Sequence, residues 1–165
     1  METQTKRLNI NHIIQSANTL FNDIGFRHLR VVPNTLVTYE YSIKVDNLTI
    51  PVISEWTYGE GEVLVFNDID SCLGIICIYN GQLRGAHLSL LKGNLNYIVE
   101  EQDFHNVMNQ FNGFTVNSFG GSIDIWEQIF TDSSVNIPKK IANDRECKKW
   151  IFYIENRQIA YQPFN

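Results

Sequence analysis

The chain has 165 residues, of which 44% are hydrophobic and 19% charged, with ten Phe, seven Tyr and three Trp. This composition excludes a disordered chain and predicts a single domain, 1–165, with a core that needs no metal or disulfide staple. Thirteen Lys and Arg against eighteen Asp and Glu leave a net charge of −5 with no block of like charge, which argues against nucleic acid as a partner and against a polybasic membrane anchor.

Membrane insertion is not expected, because no run approaches the roughly 20 apolar residues of a spanning helix. The start METQTKRLNINH is polar and lacks the apolar core of a signal peptide, so a soluble product is expected. Cys72, Cys77 and Cys147 are odd in number and form no CxxC pair. They read as reduced thiols in a reducing compartment.

In chain order, LNINHIIQSANTLFNDIG places Ile10, Ile13, Ile14, Ala17, Leu20, Phe21 and Ile24 on one stripe, an amphipathic helix stopped at Gly25. The period then becomes two in LVTYEYSIKV, NLTIPVISEWTY and GEVLVFN, separated by Asp46-Asn47 and Gly59-Glu60-Gly61, which predicts an antiparallel meander. SCLGIICIY and QLRGAHLSLL meet at Asn80-Gly81, the strongest short hairpin signal. YIVEEQDFHNVMNQFNG carries helical spacing over Ile98, Val99, Phe104, Val107, Met108 and Phe111 and ends in Asn-Gly. FTVNSFGGSIDIW reads as a strand that breaks at Gly120-Gly121 before a short helix, and WIFYIENRQIAYQPF as a hairpin turning at Asn156-Arg157. The expected class is α+β, a layered domain with a largely antiparallel central sheet flanked by helices.

The candidate chemistry lies on the Asn80-Gly81 hairpin. Cys72 and His87 are on its two arms, and antiparallel pairing about that turn puts Cys72 opposite residue 89, within two positions of His87. A thiol is nucleophilic as thiolate, and a neighbouring imidazole can take its proton and later return one to a leaving amine. Cys77 and Cys147 have no histidine at a matching position and read as packing residues. His12, His28 and His105 have no clustered partners, so neither a metal nor another cofactor is expected. Trp56, Trp126 and Trp150 read as core or edge packing, since no basic residues interleave with them as in a stacking platform. Asp68 and Asp70 read as a solvated turn, although a carboxylate at Asp70 would oppose ionisation of the thiol unless it points away.

Several segments carry a family likeness. VLVFNDIDSCLGIICIYNGQLRGAHLSLL resembles the core of the chemoreceptor glutamine deamidases (CheD), where a strand leads into a Gly-Ser-Cys turn, an apolar strand and a His-x-x-Leu segment. GFTVNSFGGSIDIW is similar to the family's Phe-Gly-Gly strand end, and DRECKKWIFYIENRQIAY to its closing hairpin. The likeness covers about 61–161 and leaves 1–55 as an N-terminal helix and strand elaboration. The same fold is shared by the deamidase domains of cytotoxic necrotizing factor toxins and Burkholderia lethal factor.

The resemblance implies conversion of a protein glutamine to glutamate through a thioester, with release of ammonia. It implies Cys72 as nucleophile and His87 as base. Ser71 falls where the backbone shapes an oxyanion hole, and Gly120 and Gly121 fall at the turn that lets backbone approach the site. An amine in place of water would make the same site a transglutaminase.

Two positions depart from CheD: Asp70 stands where the family has Gly, and Phe66 where it has the Thr that orients the histidine. The Phe66 carbonyl or the side chain of Asn67 or Asp68 is then expected to take that role, as a backbone carbonyl is believed to do in the toxin branch. The favoured expectation is a toxin or effector deamidase with a protein substrate, made in a bacterial cytoplasm and acting in a reducing cytosol. The alternatives are a chemotaxis deamidase and an inactive CheD-like binding module.

Overall fold

The computed structural model describes residues 8–28, 33–67, 69, 71–93, 96–112, 114–143 and 149–165. Cys147, Asp68, Asp70 and the side chain of His28 fall outside that description.

Helix α1 (Ile10–His28) buries Ile13 and Ala17 completely, the centre of the apolar stripe read from sequence. It runs on through Gly25, because one glycine inside a helix costs only about 1 kcal/mol against alanine. Strands β1 (Val37–Thr38), β2 (Tyr41–Val45), β3 (Leu48–Ile53), β4 (Thr57–Gly61), β5 (Val63–Phe66), β6 (Leu73–Tyr79) and β7 (Gln82–Leu88) follow. Next come β8 (Leu91–Lys92), β9 (Tyr97–Ile98), α2 (Glu101–Met108) with a 3-10 turn at Asn109–Phe111, β10 (Asn117–Gly120) and α3 (Ile123–Ile129). The chain closes with β11 (Lys139–Asn143), β12 (Lys149–Glu155) and β13 (Gln158–Phe164).

The molecule is α+β, but its strands do not form one central sheet. A six-stranded sheet, β1-β4-β7-β6-β10-β11, faces a five-stranded sheet, β13-β12-β5-β3-β2, and β8-β9 form a separate ribbon. Three ladders, β1-β4, β3-β5 and β10-β11, are parallel. The expected meander is therefore replaced by strands that alternate between sheets. After β3 the chain crosses to β4 in the other sheet and returns as β5 beside β3. Period-two patterning reports which residues face inward but not which sheet owns a strand, so sequence could not distinguish these arrangements.

Three apolar layers result. Ile53, Leu64, Phe66, Ile76, Leu83, Phe119, Trp150 and Phe152 fill the space between the two sheets. The outer face of the five-stranded sheet packs on α1, through Ile50, Val52, Val63, Val65 and Ile151. The outer face of the six-stranded sheet packs on α2 and α3, through Leu73, Ile75, Cys77, Ala86 and Leu88 against Phe104, Val107, Ile123 and Trp126. Each fully buried large apolar side chain contributes roughly 1.5–3 kcal/mol relative to exposure.

Three two-residue turns behave as read. Asp46-Asn47, Asn80-Gly81 and Asn156-Arg157 all have positive φ at both central positions, the twist that hairpins need, and they join β2-β3, β6-β7 and β12-β13. The helix expected from Tyr97 starts four residues later. Tyr97 and Ile98 instead pair with Lys92 and Leu91, and Ile98 is 71% exposed. A capping box between Glu100 and Asp103 sets the start of α2, a local signal stronger than the apolar spacing before it. Among the described residues no helix is long and apolar enough to cross a membrane.

Candidate active site

Register decides whether Cys72 and His87 can meet. Leu73 pairs with Leu88 and Gly74 with His87, the alignment expected from the Asn80-Gly81 turn. Opposed residues of an antiparallel pair point to one face and next-but-one neighbours share it, so Cys72, Gly74 and His87 all face the space between the sheets. The packing agrees: Cys72 lies with Phe66, Ile76, Leu83 and Phe119, whereas Leu73, Ile75, Cys77, Ala86 and Leu88 lie on the opposite face. Cys72 stands one residue before the last registered pair, Leu73–Leu88, and His87 one residue inside it; continued one step, the ladder would make them diagonal neighbours, a relation with Cα atoms about 7–8 Å apart and Cβ atoms closer.

His87 is completely buried. Its Nδ1 lies 2.9 Å from the Ile53 carbonyl oxygen, which can only accept, so Nδ1 carries the proton and donates it. Nε2 then presents a lone pair and has no hydrogen-bond partner among the described residues. Burial drives the imidazole pKa down to about 4, against a smaller upward pull from the Ile53 hydrogen bond, so His87 is neutral near pH 7.

The orienting group differs from the expectation. It is the carbonyl of Ile53, not the carbonyl of Phe66 or the side chain of Asn67, while Asp68 lies outside the described residues. The physical reason is the sheet crossover: β3 ends at Ile53, β4 begins at Thr57, and Thr57 pairs directly with His87. The connection is drawn across the imidazole and leaves its carbonyl there. Phe66, the parallel partner of Ile53, contributes its ring, 6.4 Å from the imidazole centroid. Asn67 is buried, and its Oδ1 has no partner among the described residues. Residues 37–53 thus supply strands to both sheets, β1 to the six-stranded and β2 and β3 to the five-stranded one.

Cys72 is 4% exposed and immediately precedes β6. Its thiol donates to Glu55 Oε1 at 4.0 Å, the outer reach of a sulfur hydrogen bond. Ser71 is exposed, and its carbonyl accepts the Trp126 indole N–H at 2.9 Å. Since a trans peptide points its N–H opposite to its C=O, the Cys72 N–H is turned away from α3.

Gly120 pairs with Leu73 on β10, and a Cβ there would stand 2.8 Å from the Cys72 carbonyl oxygen. Only glycine lets β10 approach the cysteine backbone so closely. Gly121 is buried beside it. Across the site, the Phe119 ring occupies the space a side chain at Gly74 would fill.

The other cysteine of the hairpin is different. Cys77 is buried on the α2 side, and burial pushes its thiol up to about 11 despite the opposing pull of Arg84. No group of three or more metal-ligating side chains occurs among the described residues. A cavity of about 290 Å³ lined by Leu8, Ile13, Val45, Leu48 and Glu62 lies at the far end of β3, against α1, and holds neither thiol nor imidazole.

Sequence reasoning missed Ile53 and Glu55. A backbone carbonyl leaves no side-chain signature. The acid in SEWT looked like an ordinary turn residue, because nothing local says the turn will cross the thiol. Comparison with known proteins found no matching family model, no similar curated protein and no similar solved structure. The likeness to the deamidases thus rests on the segments quoted above.

Proposed function

We propose that this chain is a cysteine-dependent protein-glutamine deamidase of the toxin or effector type. The observation that carries the reading is Cys72 directly before β6 and His87 near the paired end of β7, with the imidazole held through Nδ1 by a backbone carbonyl and Nε2 unpartnered among the described residues. A neutral, oriented imidazole with an unpartnered nitrogen is suited to proton abstraction from a nearby cysteine.

In the reaction the Cys72 thiol passes its proton to His87 Nε2, and the sulfur attacks the carboxamide carbon of a substrate glutamine. Backbone N–H groups around Ser71 and Cys72 hold the oxyanion, each good donor being worth roughly 3–4 kcal/mol. The C–N bond breaks as Nε2 returns the proton to the leaving nitrogen, releasing ammonia. Water, activated by the same imidazole, hydrolyses the thioester to glutamate and restores the thiol.

A second reading, an inactive binding module, is favoured by the closure of the site, with Cys72 4% exposed and His87 fully buried. One experiment separates the two. A lysate treated with the wild-type chain or with Cys72→Ser is searched by mass spectrometry for a one-dalton gain at glutamine, and free ammonia is measured alongside. Conversion that depends on Cys72 supports the deamidase, and none in either sample leaves the binding module.

A further inference from the structure

The connection between β3 and β4 brings a carboxylate to the sulfur and holds it there. Trp56 stands at φ +59, a left-handed backbone that a bulky residue adopts only where its surroundings enforce it. The Trp56 N–H donates to the His87 carbonyl at 2.6 Å, and its indole N–H reaches Ser89 Oγ and the Leu91 carbonyl, each at 3.0 Å. Thr57 closes the turn onto the Ser54 carbonyl through its N–H at 3.1 Å and its hydroxyl at 2.7 Å. Glu55, half-buried, is therefore mounted on a braced turn, and its carboxylate takes the Cys72 thiol hydrogen bond.

We propose that Glu55 is a positioning residue that keeps Cys72 in its protonated thiol form until an arriving substrate displaces the carboxylate. This inference rests on the Cys72–His87 reading. A carboxylate that accepts from S–H stabilises the thiol and repels the thiolate. Displacing it turns the S–H toward His87 Nε2. The proton moves to that nitrogen, and the sulfur keeps the electron pair with which it attacks.

Titratable groups on the sulfur's side of the sheet include Glu55 from the turn and His87 from β7. β5 and β10 present the uncharged Phe66, Phe119 and Gly120, and α3 carries Asp124 in its first turn. The arrangement gives a closed site a resting state that spares the thiol from adventitious alkylation or oxidation.

The test follows iodoacetamide labelling of Cys72 in the full chain from pH 5 to pH 10 by peptide mass spectrometry, with Cys77 as internal reference. Glu55→Gln is expected to lower the labelling midpoint by about one pH unit and to speed labelling at pH 7 about tenfold. Glu55→Asp, which keeps the charge, stays closer to wild type. An unchanged or higher midpoint in Glu55→Gln overturns the proposal. Should Cys77 become reactive in that variant, marking loss of fold, the wild type decides: its Cys72 midpoint must lie above the roughly 8.5 of a free thiol, and a midpoint at or below that value overturns the proposal. Ammonia release is scored separately. A labelling shift without glutamine conversion sinks the deamidase alone, and conversion without a shift sinks the role of Glu55 alone.

Discussion

The β6-β7 hairpin has two faces built from the same fourteen strand residues, Leu73–Tyr79 and Gln82–Leu88. Toward α2 and α3 it presents Leu73, Ile75, Cys77, Ala86 and Leu88, with Arg84 opposite Cys77 bonded to Glu60 and to the Gln110 carbonyl. Toward the second sheet it presents Gly74, Ile76, Leu83, Gly85 and His87, with Cys72 at its open end, and there two glycines are covered by the rings of Phe119 and Phe66. One face is packed for stability. The other removes side chains from the sheet, fills the gaps with rings from neighbouring strands, and keeps an imidazole whose Nε2 has no partner among the described residues. Burying such a nitrogen costs roughly 1–3 kcal/mol. The difference bears on the proposed chemistry, because the thiols of Cys72 and Cys77 belong to one hairpin but have different neighbourhoods.

The sharpest way to break the comparison is to exchange the thiols. Cys72→Ser should lower glutamine-dependent ammonia release by roughly a thousandfold or more, the scale of losing a nucleophile, whereas Cys77→Ser should leave turnover within about twofold. Equal losses in both variants would erase the distinction between the faces. Next in size is Phe119→Ala, which empties the ring space over Gly74 and should destabilise by about 3–5 kcal/mol. Denaturant unfolding measures it, and a cost under about 1 kcal/mol would mean the inter-sheet layer collapses without penalty.

Acid should expose the buried imidazole. Its pKa is depressed in the fold, from 6.5 to about 4, so the unfolded chain binds the proton first. Stability is complete above about pH 6.5 and declines as the pH falls toward 4, by roughly 3 kcal/mol for this group. His87→Gln should flatten that part of the stability profile between pH 7.5 and pH 4.5. An identical profile in the variant would place the acid sensitivity elsewhere. The smallest expected effect is Gly74→Ala, about 1–3 kcal/mol of overpacking against the Phe119 ring, visible as a lower Tm. An Ala tolerated without a change in Tm would show that the ring moves freely.

Much of this architecture was legible locally. The turn dipeptides set three hairpins, and pairing about Asn80-Gly81 already put residue 72 opposite 89 and within two positions of His87, because a two-residue turn fixes the register of its strands. The stripe of α1, the strand end at Gly120 and the burial of Trp56, Trp126 and Trp150 follow from the same short-range rules. Tertiary structure alone decided that β3, β4 and β5 alternate between two sheets, and hence that the Ile53 carbonyl grips the imidazole and Glu55 stands over the sulfur. These contacts join residues 17 to 34 positions apart through a backbone atom and a turn side chain. No periodicity encodes such contacts, since they depend on which sheet a strand joins, and that choice is made by the packing of the whole core.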